Sequence, residues 1–392
     1  MQKLADNSVD AIVTDPPYGL SKESDIREVL QHWLAGDRYE HSGSGFMGKS
    51  WDSFVPGPEY WQETYRVLKP GGHMLAFGGT RTHDMLAIAI RLAGFEYRET
   101  ILWIHGQGFP KSKNLGNGMG TNLKPAHEPI ILARKPLAEK TIAQNVLVHG
   151  TGGINIDATR IGYKDAADYE SAKPGSFTYN GDKRNKSVEV FAETTMLSLE
   201  RDKPTPNAQG RWPSNILLSH TPECVDDLCV AYCPIAELDR QSGYSKSSSV
   251  AACDKPHKPN AYGNFNNPRV TGGHDDAGSR SRYFQQFPPE DYVPYKYVSK
   301  ASRKERTSNG TVDNNHPCVK SLKLCRWLIR LITPPNGVVL DMFCGSGSIL
   351  VAALQEHKHF IGIDEDRGYC DIAHARLLHA QKELKLAENQ VT

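Results

Sequence analysis

Asp15-Pro16-Pro17-Tyr18 places a carboxylate, a rigid turn and an aromatic face within four residues. Proline fixes φ, so the turn is stiff. The carboxylate is a hydrogen-bond acceptor, and the tyrosine ring is a stacking surface for a flat heterocycle. Far downstream, Phe343-Cys344-Gly345-Ser346-Gly347-Ser348 offers a second kind of chemistry. Gly345 and Gly347 allow a tight strand-to-helix turn with close backbone approach to a ligand. A helix start there favours a carboxylate group. The loop is neither G-x-G-x-x-G nor a P-loop, so it does not read as a dinucleotide or triphosphate site. Asp364 closes the next apolar run, Ile361-Gly362-Ile363, where an acidic side chain accepts hydrogen bonds from ribose hydroxyls or simply caps a turn. Together these groups suit an aromatic base in one pocket and a nucleoside cofactor in the next.

Two further clusters carry chemistry. His220, Cys224, Cys229 and Cys233 supply one imidazole and three thiols, the ligand set of a tetrahedral structural zinc. Their spacing is irregular, and free cysteines in a helix-like stretch is the competing reading. Basic and aromatic residues crowd Tyr292–Arg306. Lys296, Lys300, Arg303 and Lys304 suit contacts to phosphates, or a solvated helix face.

The elements that must position these groups alternate. Strands are predicted at Val9–Thr14, Met74–Phe77, Thr100–Ile104, Pro129–Ala133, Tyr295–Ser299, Val338–Met342 and Phe360–Ile363. Helices are predicted at Pro58–Leu68, Thr82–Ala93, Leu322–Ile332, Ser348–Gln355 and Gly368–Leu384, the first stopped by Pro70-Gly71-Gly72. Alternation of this kind gives an α/β fold with a doubly wound, mostly parallel sheet. From about 140 to 290 the periodicity dissolves, apart from apolar islands at Ile154–Ile161, Trp212–Leu218 and Tyr283–Phe287. The expected organisation is a catalytic half over 1–140, a large irregular insertion over 141–291, and a cofactor half over 292–392. In this chain of 392 residues the net charge is +1, so no global basic field announces nucleic acid, and any such binding relies on local patches. Composition alone favours a small-molecule enzyme. The eight cysteines occur without a signal peptide, which argues against a disulfide framework and for a reducing cytoplasm. No apolar stretch is long enough to span a bilayer.

DPPY followed far downstream by FCGSGS resembles the S-adenosylmethionine-dependent DNA amino-methyltransferases. In that family [D/N/S]-P-P-[Y/F/W] is the catalytic motif and F-x-G-x-G the cofactor motif. The order catalytic half, long insert, cofactor half is similar to the β group, and the resemblance covers roughly residues 1–135 and 292–380. It implies a Rossmann-like domain, with Asp15, Pro16, Pro17 and Tyr18 as the catalytic residues. It further implies that Asp341, Phe343, Gly345, Ser346, Gly347 and Asp364 hold S-adenosylmethionine, with Lys320 and Ser321 of His316-Pro317-Cys318-Val319-Lys320-Ser321 lining its methionine side. The insert becomes a target-recognition region, and DNA the partner; oligomeric state is left open.

The chemical task is to make an exocyclic amine attack a sulfonium methyl. Two acceptors on the amine hydrogens, the Asp15 carboxylate and the Pro16 carbonyl, would stabilise the developing positive charge. A target amine within a duplex requires the base to leave the stack first. In the family Asp at the first position accompanies adenine N6, and Ser there cytosine N4. Adenine N6 is the expectation; cytosine N4, an RNA or small-molecule acceptor, and a catalytically silent DNA- or cofactor-binding protein are the alternatives. Trp51, in Gly48-Lys49-Ser50-Trp51-Asp52, is a hydrophobic anchor or a wedge near the flipped base. One feature departs from the family pattern. The acidic Gly-Asp segment that usually precedes the catalytic strand is missing before Met1-Gln2-Lys3-Leu4, so either the start is truncated or another residue serves.

Overall fold

Eight strands build one sheet in the computed structural model: β1 Val9–Thr14, β2 Leu68–Phe77, β3 Glu96–Ile104, β4 His127–Arg134, β5 Ile216–Ser219, β6 Gln285–Phe287, β7 Val338–Asp341 and β8 His359–Gly362. Their order is β6-β5-β3-β4-β2-β1-β7-β8. Only β4 runs against its neighbours, pairing antiparallel with β2 and β3, while the remaining pairs are parallel. The sheet is therefore mostly parallel, as the alternating pattern implied. The structure describes residues 1–41, 45, 50–105, 113–123, 125–163, 165–172, 178–179, 206–221, 224–225, 228–231, 233–246, 270–271, 277–287, 303–316 and 318–391.

Helices cover both faces, which is why the central strands carry apolar side chains on both sides. Along β4, Ile130 and Leu132 face one layer and Ile131 and Ala133 the other. The first layer holds α5 Leu322–Ile332 and α6 Ser348–Gln355, through Leu324, Leu328, Ile349 and Ala352. The second holds α1 Ile26–Ala35, α2 Pro58–Val67 and α3 His83–Leu92, through Trp33, Trp61, Leu86 and Ile90. Two further helices are α4 Ile142–His149 and the long α7 Arg367–Val391. Each fully buried Leu, Ile or Phe contributes roughly 1.5–3 kcal/mol relative to exposure, so these two layers dominate stability.

Strand β1 carries a polar residue at its second position. Asp10 is buried, but its two oxygens are used: one meets the Lys69 ammonium at 2.5 Å and the other accepts from the Val338 N–H at 2.8 Å. That pair of bonds ties β1 to β2 and to β7 at the end away from the motifs. Strand β2 starts earlier than the sequence suggested. Pro70-Gly71-Gly72 does not separate helix from strand; it lies inside β2, and an irregularity in the register with β1 absorbs it. The buried Asn145 of α4 stabilises that stretch, donating to the Pro70 carbonyl at 2.8 Å.

The chain divides into two compact units: one of 1–159, 214–236 and 285–392, the other of 160–213 and 237–284. The expected single insertion over 141–291 is thus divided. Its islands at Trp212–Leu218 and Tyr283–Phe287 contribute β5 and β6 to the main sheet, because β5 pairs with β3 and β6 with β5. The second unit is held differently. Arg211 donates to Asp168 at 2.5 and 2.8 Å and lies over the rings of Tyr163 and Tyr283, at 4.7 and 5.5 Å from their centroids. Its described strands are two-residue pairs, such as Val270–Thr271 with Thr178–Tyr179. The predicted strand Tyr295–Ser299 lies outside the described residues.

Candidate active site

Strands β1 and β7 are parallel neighbours, with Ile12 opposite Leu340, so the turn after β1 and the loop after β7 lie side by side at one sheet edge. Thr14 joins them, its hydroxyl donating to Asp341 Oδ1 at 2.8 Å. This is the carboxyl edge, where parallel sheets place their ligands.

At the end of β1, Asp15 is held on one side only. The Lys320 ammonium pairs with its Oδ2, and Lys320 is itself buried, 5.3 Å from the Tyr18 ring centroid and 4.9 Å from that of Phe77. Asp15 Oδ1 is buried with no hydrogen-bond partner among the described residues. A buried acceptor left unmet costs about 1–3 kcal/mol, and such atoms cluster where function needs them. The proline turn is fixed from outside by Asp52, whose Oδ1 accepts from the backbone N–H groups of Tyr18 at 2.7 Å and Gly19 at 3.0 Å. Trp51 stands next to it in the short turn Ser50–Asp52, half-buried. Tyr18 directs its hydroxyl to Glu128 Oε2 at 3.4 Å. Burial, and then the Asp15 carboxylate, raise that hydroxyl well above the ordinary phenol range, so it stays protonated. Because β4 runs antiparallel, its first residues, including Glu128, emerge at the same edge as Asp15, and Glu128 Oε2 lies 4.0 Å from Lys320 Nζ.

The loop after β7 is held by many contacts. Gly345 and Gly347 have φ of +47° and +79°. A Cβ on Gly345 would come within 2.7 Å of His316 Nε2, and one on Gly347 within 2.8 Å of Ala373 Cβ, so both positions demand glycine. The buried Arg376 guanidinium donates to the Ser346 carbonyl at 2.7 Å, to the Ser346 hydroxyl at 3.2 Å and to the Ser348 hydroxyl at 3.1 Å. Asp364 accepts from the Gly345 N–H at 2.7 Å and from the Asp366 N–H at 3.0 Å. It therefore fixes the loop as a turn residue, with lone pairs remaining on both oxygens. Asp341 is buried, and its Oδ1 also accepts from the Phe343 N–H at 3.2 Å. Burial pushes its carboxyl up to about 7. Phe343 is half-buried near Tyr60 and Trp61, with ring centroids 6.3 and 6.4 Å away. No side chain caps the amino end of α6.

The structure thus brings together Asp15, Pro16, Pro17, Tyr18, Asp341, Phe343, Gly345, Ser346, Gly347 and Asp364 along one edge. Lys320 is present there, but directed to Asp15. Ser321 is the cap of α5, its hydroxyl accepting from the Leu324 N–H. His220, Cys224, Cys229 and Cys233 converge on one another. Lys296 and Lys300 lie outside the described residues, and Arg303 and Lys304 belong to the short helix Arg303–Arg306, whose backbone alone is described at those two positions. Asp52, Glu128 and Arg376 were not found from sequence. Arg376 did carry a signal: it shares the buried stripe of α7 with Ala373 and Ala380 at helical spacing, an unusual position for a guanidinium.

Comparison with known proteins gives a family match across nearly the whole chain. The family model described as DNA methylase, for N6 and N4 methyltransferases, matches residues 9–375. Type II methyltransferase M.HindIII of Haemophilus influenzae is 44% identical over 62 residues, 16% of this chain and 20% of that protein. Type II methyltransferase M.HpaI of Haemophilus parainfluenzae is 26% identical over 136 residues, 34% of this chain and 35% of that protein. The chain thus matches about a fifth to a third of the length of these curated relatives. Among solved structures, the M1.HpyAVI–SAM complex aligns over 96% of this chain and 90% of its own, at 15% identity and a TM-score of 0.37. The PvuII DNA methyltransferase, cytosine-N4-specific, aligns over 96% and 81%, at 12% identity and a TM-score of 0.44. Among the described residues, no helix is long and apolar enough to cross a membrane.

Proposed function

Because this chain belongs to the DNA methylase family of N6 and N4 amino-methyltransferases, we propose that it methylates the exocyclic N6 amine of an adenine turned out of duplex DNA, with S-adenosylmethionine as donor. The observation that carries this reading is the half-satisfied carboxylate of Asp15: one oxygen is tied to Lys320, and the other is buried and, among the described residues, unmet.

The loop after β7 fits a nucleoside with a charged amino-acid arm. Glycine brings its backbone close to a ligand, the amino end of α6 carries no side-chain cap, and Asp341 Oδ2 is a buried oxygen without a hydrogen-bond partner among the described residues. Gly345, Ser346 and Gly347 would hold the arm through backbone groups, Asp364 the ribose and Phe343 an apolar face. S-adenosylmethionine, when bound, supplies an electrophilic methyl group on a sulfonium.

The remaining steps belong to the chain itself. Lys320 fixes Oδ2, so Asp15 presents Oδ1 to an amine hydrogen, while the Pro16 carbonyl takes the other. With both hydrogens held, the nitrogen becomes pyramidal and its lone pair, withdrawn from the ring π system, points toward the donor, and the charge that develops on nitrogen meets two acceptors. Asp15 Oδ1 is also placed to receive the proton the amine releases. Tyr18 offers its ring to the base, with its hydroxyl anchored on Glu128. Much of the rate then comes from alignment, since β1 and β7 hold both partners on neighbouring strands. Asp rather than Ser at position 15 supports adenine over cytosine.

Expression in a methylation-free host, followed by sequencing of its DNA with modified-base detection, tests the assignment. N6-methyladenine at a defined sequence is the expected result. N4-methylcytosine, or no modification from folded and abundant protein, would overturn it.

A further inference from the structure

His220 follows β5 directly, and its backbone N–H donates to the Phe287 carbonyl at the end of β6. Between Cys224 and Cys229, Val225 and Leu228 exchange backbone hydrogen bonds at 3.1 and 2.8 Å. Cys233 is fully buried and stands immediately before the helix that begins at Pro234. Three sulfurs and one imidazole nitrogen all lie within 4.8 Å of one another. His220 Nδ1 is 3.2 Å from Cys229 Sγ and 3.7 Å from Cys233 Sγ. In a tetrahedron with zinc–sulfur bonds of about 2.3 Å and zinc–nitrogen bonds of about 2.0 Å, neighbouring sulfur and nitrogen stand about 3.5 Å apart. The two measured separations bracket that value.

From this convergence we infer that the chain binds one structural zinc through His220, Cys224, Cys229 and Cys233. None of the three cysteines is in a disulfide. The protein supplies all four ligands, which leaves no open position for a substrate, and a closed set is the mark of a structural site. Location agrees with that role. In the sheet order, β5 is separated from β1 by β3, β4 and β2, so its end lies about 19 Å from Asp15 at ordinary strand spacing. The metal is too distant to touch the methyl transfer. Its work is to pin the segment after β5 at the carboxyl edge of the sheet, where few apolar contacts hold it: Val225 and Leu228 are both exposed.

Elemental analysis of the full chain, purified without chelator and under reducing conditions, is the test. About one zinc per chain is expected, and Cys229→Ser and His220→Ala should each lose it. Replacing zinc with cobalt(II) in the wild-type chain gives an independent readout that needs no variant: thiolate-to-cobalt charge-transfer bands and visible bands of tetrahedral intensity. Folded wild-type protein that is free of zinc, with the three thiols open to a thiol reagent and no cobalt bands, would overturn the site. So would stoichiometric zinc that both variants retain.

Discussion

The turn after β1 and the loop after β7 occupy equivalent places on adjacent strands, yet they are held in opposite ways. The loop is fixed by its own surroundings: Arg376 takes the carbonyl and hydroxyl of Ser346, Asp364 takes the Gly345 amide, and His316 and Ala373 fill the space next to its glycines. The turn has a fixed backbone, through Asp52, but a carboxylate that is satisfied, among the described residues, on one oxygen only. A binding loop gains from being complete before its ligand arrives, because less ordering is left to be done on binding. A catalytic group keeps an unmet interaction, which the transition state then satisfies. Under the proposed function, the difference separates affinity from rate along one sheet edge.

The largest effect should follow from removing the unmet acceptor. Asp15→Ala should lower methyl transfer at least about 100-fold, with cofactor affinity within about tenfold of wild type. Rapid-quench assays set beside calorimetric titration with S-adenosylmethionine decide this, and near-normal transfer would erase the distinction between the two loops. Next comes the support of the turn. Asp52→Ala frees the amides of Tyr18 and Gly19, and should reduce kcat roughly 10- to 100-fold through misplacement alone. Its effect should appear in kcat more than in the cofactor titration; an equal loss in both would mean that Asp52 supports the whole edge.

On the other side of the comparison, Asp364→Ala should weaken cofactor binding by roughly 1–3 kcal/mol, through the Gly345 amide and the ribose together. Calorimetry showing unchanged affinity would remove Asp364 from the site. The smallest effect concerns Asp341. Its carboxyl is raised by burial to about 7, above an ordinary value near 4, so the folded state holds a proton that the unfolded chain has released. Stability from this group is therefore present at low pH and declines as pH rises toward about 7. Asp341→Asn, which keeps the acceptor for Thr14 and Phe343, should raise the Tm of the cofactor-free protein by a few degrees at pH 8, with a smaller gain at pH 5. A difference that is independent of pH would assign the effect to packing.

Much of this edge was legible in the sequence, because it depends on local patterns. Strand β1 and helices α5 and α6 fall at the residues their periodicity indicated, and both motifs sit at strand ends. What was not legible depends on contacts between distant residues. Asp52 acts 34 residues from Tyr18, and Lys320 reaches Asp15 across 305 residues. Glu128 arrives only because β4 is reversed, and no side-chain pattern states a strand's direction. Strands β5 and β6 are short, four and three residues, and flanked by polar sequence, so their membership of the main sheet shows only in the pairing. Pro70-Gly71-Gly72 misled for a physical reason: a break signal also serves as a bulge when a neighbour such as Asn145 takes the freed carbonyl.

The proposed role of Asp15 is to act on the N6 amine of adenine. A single-turnover reaction of purified protein with unmethylated DNA and S-adenosylmethionine tests it most directly, with the DNA digested to nucleosides and resolved by mass spectrometry. The wild type should yield N6-methyldeoxyadenosine, and Asp15→Ala, saturated with the same cofactor, should yield at most about a hundredth as much at equal times. N4-methyldeoxycytidine in place of N6-methyldeoxyadenosine, or equal yields from the two proteins, would contradict the account.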